Sequence, residues 1–568
     1  MTMRHPHAAA MLALALGLAA CTSFPAANQA PTIEIAQGQL VGVQQGGLQI
    51  YRGIPYAAPP VGERRWRPPG QASRWEGPRD AKEFGASCIQ PALPPQNLYF
   101  DRLAKTSEDC LTLNIWAPGN ASNAPVILWI HGGSLRIGGS EVPMYDGSNF
   151  ARRGVVFVSA NYRLGALGWL AHPELSTESP RGISGNYGLL DQIAALRWIQ
   201  ANIAEFGGDP ANVTIMGESA GALSASYLLV SPLARGLFGK AIIQSTNSRA
   251  FPELSRPAYG LPPAEETGRR TLSAIGASDL AKARAMDAQR LTDAVTIAGF
   301  SPQGTIDGHV LPMQIIDAFD RGLQAKVPVL AGINSGEIRA QRALLPRTPA
   351  TEEAYLETVA AELGELAPAF LELYPYESIE QARLDMTRDG VYGWATERIV
   401  RDQTAAGMPA FFYLFDHCYP AARERDLCAF HAGELPFVFG WLDTQFLPPN
   451  WPVPSSLGNA ALSDTMMDYW VSFADTGIPV SDTGPVWHRF GASQAYMRFD
   501  LAPHAEFDPL PGSFELHENL VQQRKRAGEQ WFFSLGLPNS GTNPPTGDAD
   551  RVGASSCSPV LQPQQPLR

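Results

Sequence analysis

Hydrophobic positions along the chain fall into two alternating patterns. Short continuous apolar runs ("APVILWI" ahead of "HGG", "GVVFVSA", "VTIM", "KAIIQ", "VPVLAGI" and "AFFYLF") have the length and β-branched content of strands buried on both faces. Between them lie stretches of helical period. The clearest is "GLLDQIAALRWIQANIAEF", where Leu189, Ile193, Leu196, Ile199 and Ile203 recur every three or four residues. Strands alternating with helices predict an α/β fold: a large, mostly parallel sheet covered by helices on both faces. Ligands of such sheets bind at the carboxyl ends of the strands. Neither a repeat nor a long linker interrupts 31–540, which predicts one large domain. Within it, 250–300 and 340–400 read as helical insertions that wall a cleft over the sheet.

The two ends break this pattern. Arg4 precedes "AAAMLALALGLAA", which is apolar but short for a bilayer span, and the run closes on "LAAC". Residues 1–20 therefore read as a bacterial lipoprotein signal cleaved before Cys21, whose thiol would carry the lipid, with 21–30 as a linker. The alternative is an ordinary signal peptide with Cys21 incidental. Either way the expectation is export, with membrane attachment at the bacterial envelope through the N-terminal anchor alone. Residues 541–568, rich in Pro, Gly, Ser and Gln and carrying Cys557, read as a disordered tail. Export permits disulfides. Cys88 and Cys110 are close enough to close a loop, as are Cys418 and Cys428, although sequence alone does not fix connectivity. Composition adds two exclusions. Over 568 residues, 45% hydrophobic and 17% charged content belong to a globular chain. A formal charge of −12 argues against a nucleic-acid partner.

One strand-to-helix join carries candidate chemistry. In "VTIMGESAGALSASYLL", Gly217 and Gly221 bracket Ser219 at the apex of a sharp turn, with its hydroxyl at a helix N-terminus. An ordinary tight turn has the same look, so the rest of the chain decides. A serine nucleophile needs a base, the base an orienting acid, and the oxyanion a set of donors. "WIHGGSLRIGG" offers backbone N–H groups at Gly132, Gly133 and Ser134, and Ala220 offers another at the helix start. His431 in "CAFHAGELPFVFG" follows the strand "AFFYLF"; His417 competes but ends that strand itself. Glu337 follows the strand "VPVLAGI". The order Ser219, Glu337, His431 is that of an α/β-hydrolase. The sequence has no HExxH, zinc-type spacing or phosphate-binding loop, so it calls for neither metal nor cofactor.

With these residues in hand, the chain resembles the type-B carboxylesterase and cholinesterase family over nearly all of 30–540. The matching stretches are "YRGIPYAAPPVGERRWRPP", "EDCLTLNIWAP", "NYRLGALGWL", "GNYGLLDQIAALRWIQANIAEFGGDPANVTIMGESAG", "GINSGE", "HAGELPFVFG" and "YWVSFADTGIP". The resemblance implies the α/β-hydrolase fold, a site at the bottom of a gorge, and hydrolysis of small-molecule esters through an acyl-enzyme. It implies Ser219 as nucleophile, His431 as base and then acid, Glu337 as the orienting carboxylate, and Gly133, Ser134 and Ala220 as oxyanion donors. It further implies a Cys88–Cys110 disulfide, ion pairs Arg52–Glu108 and Arg163–Asp191, and a supporting role for Glu218. The chain departs from the family in several places. Ser134 and Leu135 replace a glycine and an aromatic, and Leu135 is expected to alter a pocket wall. Arg136 either favours acidic substrates or points to solvent. Thr246 stands where glycine is common. Cys418 and Cys428, if bridged, stiffen the loop before His431; if free, they pack. The same residues would also serve a lipase, thioesterase, or amide or carbamate hydrolase. A non-catalytic binding protein is disfavoured, because Ser219, Glu337 and His431 are all present.

Overall fold

In the computed structural model, which describes residues 30–277 and 279–531, the apolar runs assemble into one 11-stranded sheet. In chain order its strands are β1 (Val43–Gln45), β2 (Leu48–Pro55), β3 (Thr112–Pro118), β4 (Ala124–Ile130), β5 (Val156–Ala160) and β6 (Gly208–Glu218). They continue with β7 (Lys240–Gln244), β8 (Val329–Asn334), β9 (Ala410–Phe415), β10 (Ala495–Phe499) and β11 (His504–Phe507). The spatial order is β11-β10-β9-β8-β7-β6-β4-β5-β3-β2-β1. Every neighbouring pair from β5 across to β10 is parallel. The edges are antiparallel: β5 with β3, β3 with β2, β2 with β1, and β10 with β11.

The strand period divides the core in two. Along β4, Val126, Leu128 and Ile130 join one apolar cluster, which also takes Leu189, Ile193, Leu196 and Ile199 of helix α1 (Tyr187–Asn202). Ile127 and Trp129 point the other way, into a cluster with Met466, Met467, Trp470 and Phe473 of a helix at Leu457–Thr476. A strand covered on both faces has no use for polar alternation, which is why these runs are continuously apolar. Both expected insertions are helical. The first holds helices Ala264–Ala274, Leu280–Ala285 and Ala288–Ile297; the second holds Glu352–Leu363, Ala367–Leu373, Ile379–Arg388 and Trp394–Ala405.

Disulfides join Cys88 to Cys110 and Cys418 to Cys428. Of the two expected ion pairs, Arg163–Asp191 is present and two-pronged, with Nε–Oδ2 2.8 Å and Nη2–Oδ1 2.7 Å. The Arg52–Glu108 expectation is wrong. Glu108 is taken by Arg65, with Nε–Oε1 2.7 Å and Nη2–Oε2 2.6 Å, and Arg65 also donates to the carbonyls of Ala283 and Met286. Arg52 instead lies over the ring of Phe84, 4.7 Å from its centroid, and donates to the Lys82 carbonyl. Buried beside an insertion helix, Arg65 has carbonyls for its remaining N–H groups, which makes it the better-satisfied partner. The leader, Cys21, Cys557 and the tail lie outside the described residues.

Candidate active site

β6 ends at Glu218, and α2 (Ala220–Val230) begins two residues later. Ser219 makes the join with φ 56° and ψ −119°, a conformation that L-residues rarely adopt. The flanking glycines make the turn possible. A Cβ on Gly221 would lie 2.0 Å from the Ile130 carbonyl oxygen, and one on Gly217 would lie 2.4 Å from the Gly221 carbonyl carbon. The Ser219 N–H donates to the carbonyl of Gln244, the last residue of β7, at 2.9 Å, which ties the turn to the next strand. Ser219 keeps accessible surface while Glu218 and Ala220 are buried.

The turn after β4 packs directly against this elbow. A Cβ on Gly132 would come within 2.8 Å of Glu218 Oε2 and 3.3 Å of Ser219 Cβ. The turn is rigid. The Gly133 carbonyl accepts from the N–H groups of Arg136 and Ile137, the Leu135 carbonyl from Gly165 N–H, and the His131 carbonyl from the Tyr162 hydroxyl. Gly133 has φ 105°, and Ser134 and Leu135 take left-handed φ values of 57° and 56°. Ser134 therefore does tolerate the local dihedrals. Gly133 and Ser134 keep accessible surface. Ala220 is the first residue of α2, where an N–H has no acceptor within the helix. Leu135 does not form a pocket wall: it is 1% exposed and packs into the main core. Arg136 is half-buried, and its Nη2 donates to the Phe300 carbonyl at 3.3 Å. Thr246 is buried, with its hydroxyl 3.0 Å from that of Ser226 on α2.

The carboxylate and the imidazole meet at the same sheet edge. Glu337, three residues past the end of β8, is fully buried. Its Oε1 accepts from the Ser245 hydroxyl at 2.6 Å and the Asn334 N–H at 2.9 Å. Its Oε2 accepts from His431 Nδ1 at 2.5 Å. That bond places the proton on Nδ1 and aims Nε2 at the elbow, where it stands 3.1 Å from Glu218 Oε1. The His431 ring stacks on Tyr392, with centroids 4.8 Å apart, and its carbonyl accepts from the Tyr99 hydroxyl at 3.0 Å. Tyr392 sits in a π-helical turn, Asp389–Gly393, a distortion common at functional sites. His417 is elsewhere: buried, ringed by Phe415, Tyr419 and Phe437, with Nε2 2.6 Å from Asn459 Oδ1. It is a satisfied core histidine.

A third carboxylate, Glu434, completes the site. It accepts from Gln244 Nε2 at 2.9 Å and Asn334 Nδ2 at 2.5 Å. Burial acting on His431 would lower its pKa, but the carboxylates of Glu218, Glu337 and Glu434 override this and raise it to about 9. Burial also raises Glu218, to about 8; repulsion from Glu434 and Glu337 adds to this and His431 partly offsets it. Burial, with repulsion from Glu337, raises Glu434 to about 7. The sequence alone does not single out Glu434, Ser245, Asn334, Tyr99 or Tyr392. Glu434 lay in plain view three residues after His431. Tyr99 sits in an irregular loop, which gives no periodic signal, and Tyr392 in a π-helical turn within a helical insertion.

A strained serine at a strand–helix elbow, a buried His–Glu pair at the same edge and a rigid glycine turn against the serine define a serine hydrolase of the α/β-hydrolase class. The chain belongs to the carboxylesterase family, whose model matches residues 29–509, and it is a carboxylic ester hydrolase. It is 39% identical over 498 residues to the fumonisin B1 esterase of Sphingopyxis macrogoltabida, spanning 84% of this chain and 88% of that one. It is 36% identical over 466 residues to the para-nitrobenzyl esterase of Bacillus subtilis (strain 168), spanning 80% and 91%. The crystal structure of Geobacillus stearothermophilus carboxylesterase EST55 superposes with a TM-score of 0.72 at 33% identity, covering 88% of this chain and 100% of that one.

Proposed function

We propose that Ser219, His431 and Glu337 carry out a two-step acyl transfer. His431 Nε2 takes the Ser219 proton as the hydroxyl oxygen attacks an ester carbonyl. The tetrahedral oxyanion is received by the N–H groups of Gly133, Ser134 and Ala220. His431 then protonates the departing alcohol, and water repeats the sequence on the acyl-enzyme. Glu337 holds the Nδ1–H tautomer and stabilises the imidazolium as it forms. The observation that carries this reading is the His431 Nδ1–Glu337 Oε2 bond of 2.5 Å, with Nε2 turned to the elbow.

The test is hydrolysis of p-nitrophenyl esters of increasing acyl length. The Ser219→Ala and His431→Gln variants should each fold and lose on the order of 10³-fold or more in kcat, while His417→Gln should keep wild-type turnover. A folded Ser219→Ala protein with undiminished turnover rejects the assignment. We read the substrate as a small-molecule carboxylic ester, since two relatives are named for fumonisin B1 and para-nitrobenzyl substrates. The acyl-length profile sizes the acyl pocket. We also propose export with lipid on Cys21, on the strength of the "LAAC" junction after a short apolar run. Mass spectrometry of the native N-terminus should show an acylated Cys21, and an unmodified mature terminus refutes it.

A further inference from the structure

The backbone on both sides of His431 is held in conformations that L-residues avoid. Asp426, Ala429 and Ala432 have φ values of 53°, 45° and 67°, and none is a glycine. Such conformations persist only where the surroundings over-determine them. One restraint is the turn that carries Glu337. Gly336 N–H donates to the Ala429 carbonyl at 3.0 Å, and Gly336 bridges to Phe430 as an isolated parallel pair. A Cβ on Gly336 would lie 2.0 Å from the Cys428 carbonyl oxygen, so the two backbones touch. Asn334 Nδ2 donates to the Phe430 carbonyl at 2.8 Å. Arg339 and Arg342, just after Glu337, both pair with Asp426. The other end of this loop leaves β9 at Phe415, and the Phe415 carbonyl accepts from Ser335 N–H at 2.9 Å. The Cys418–Cys428 disulfide joins these two ends across 10 residues, three residues before His431.

We infer that the Cys418–Cys428 disulfide is a positioning device for the acyl-transfer chemistry, closing the loop so that His431 Nδ1 is held on Glu337 and Nε2 on the elbow. This rests on the esterase reading above for its kinetic consequence, but not for its structural one. The cysteines act through the Ala429–His431 backbone. Opening the bridge frees that backbone to leave its left-handed conformations, and the His431–Glu337 bond lengthens. The groups facing His431 are Glu218 at the elbow, Glu337 after β8, Glu434 on its own loop, Tyr392 on the π-helical turn and Tyr99 on the 88–110 loop. Three of these are carboxylates that favour the imidazolium, so a loosened ring titrates at lower pH.

The experiment uses the whole protein with isotope-labelled histidine. The His431 ring is titrated by NMR in wild type and in the Cys418→Ser/Cys428→Ser double variant, and steady-state kinetics on p-nitrophenyl butyrate follow on the same samples. In the folded variant the His431 midpoint should move down by about 1 pH unit. The kcat per titratable site should fall about tenfold or more, with KM within about twofold. An unchanged midpoint and unchanged kcat overturn the inference. So does a loss of activity matched by a loss of active sites, because that is only a folding defect. If the double variant does not fold, native protein treated with tris(2-carboxyethyl)phosphine gives the same readout. Cys418 and Cys428 are half-buried, whereas Cys88 and Cys110 are 3% and 1% exposed, so the first pair is reduced preferentially. A wild type that hydrolyses no ester rejects the esterase reading alone, and the NMR midpoint still decides the clamp.

Discussion

At the scale of single residues, His431 is surrounded by more negative charge than a general base requires. Glu337 is enough to fix the tautomer and to stabilise the imidazolium. Glu218 adds a carboxylate 3.1 Å from Nε2, the nitrogen we propose accepts the Ser219 proton. In the resting site the Glu218 carboxylate therefore favours the protonated ring. Only the neutral ring can act as base, so kcat/KM should rise with pH along an acid limb set by the free enzyme. Glu218→Gln keeps the shape of the side chain and removes its charge. Burial lowers His431, and with one carboxylate gone the remaining two oppose it less, so the acid limb should move to lower pH by about 1 unit. A limb that stays in place would mean that the Glu218 charge does not act on the base. Glu218 would then be a support for the elbow alone.

Elements explain what could be read from the chain and what could not. The buried parallel strands β4 to β9 announced themselves as apolar runs, because a sheet covered on both faces leaves no polar alternation. The elbow was legible for the same steric reason that makes it work: Gly217 and Gly221 are required where Cβ atoms would strike backbone. Gly221→Ala should accordingly cost about 3 kcal/mol or more of stability, since the clash is with the Ile130 carbonyl and no flexible side chain can yield. Thermal melts of the variant would measure this, and an unshifted midpoint would mean that the elbow has room the geometry denies. The antiparallel edge strands were less legible. β11 is short and lies at the rim, where burial is partial and the pattern weak. The Arg52–Glu108 error has a similar origin. Several arginines precede Glu108, Arg52 and Arg65 among them, and only the packing of an insertion helix decides which one is buried beside it. Tyr392 was invisible because a π-helical turn aims it at His431 from inside an otherwise regular helical stretch.

For the whole molecule, the site imposes a dependence of stability on pH whose sign can be worked out. His431 rises from 6.5 to about 9 on folding. Its contribution is fully present below about 6.5 and is lost as pH rises through about 9. Glu218 and Glu434 rise from 4.5 to about 8 and about 7. Each is a carboxyl that prefers to keep its proton when folded, so each contributes least cost below about 4.5 and its full cost above its folded value. All three groups bind protons more tightly in the native state than in the unfolded chain, and their effects add: stability should fall between pH 5 and pH 9. Other buried acids, such as Glu397 and Asp402, are also raised by burial. The decisive quantity is therefore the difference between wild type and a Glu218→Gln/Glu434→Gln variant. The variant lacks two of the three groups, so its melting midpoint should drop less from pH 5 to pH 9 than the wild-type midpoint does. Equal drops would place the pH sensitivity outside the site and would show that the carboxylates around His431 are ionised at no cost to the fold.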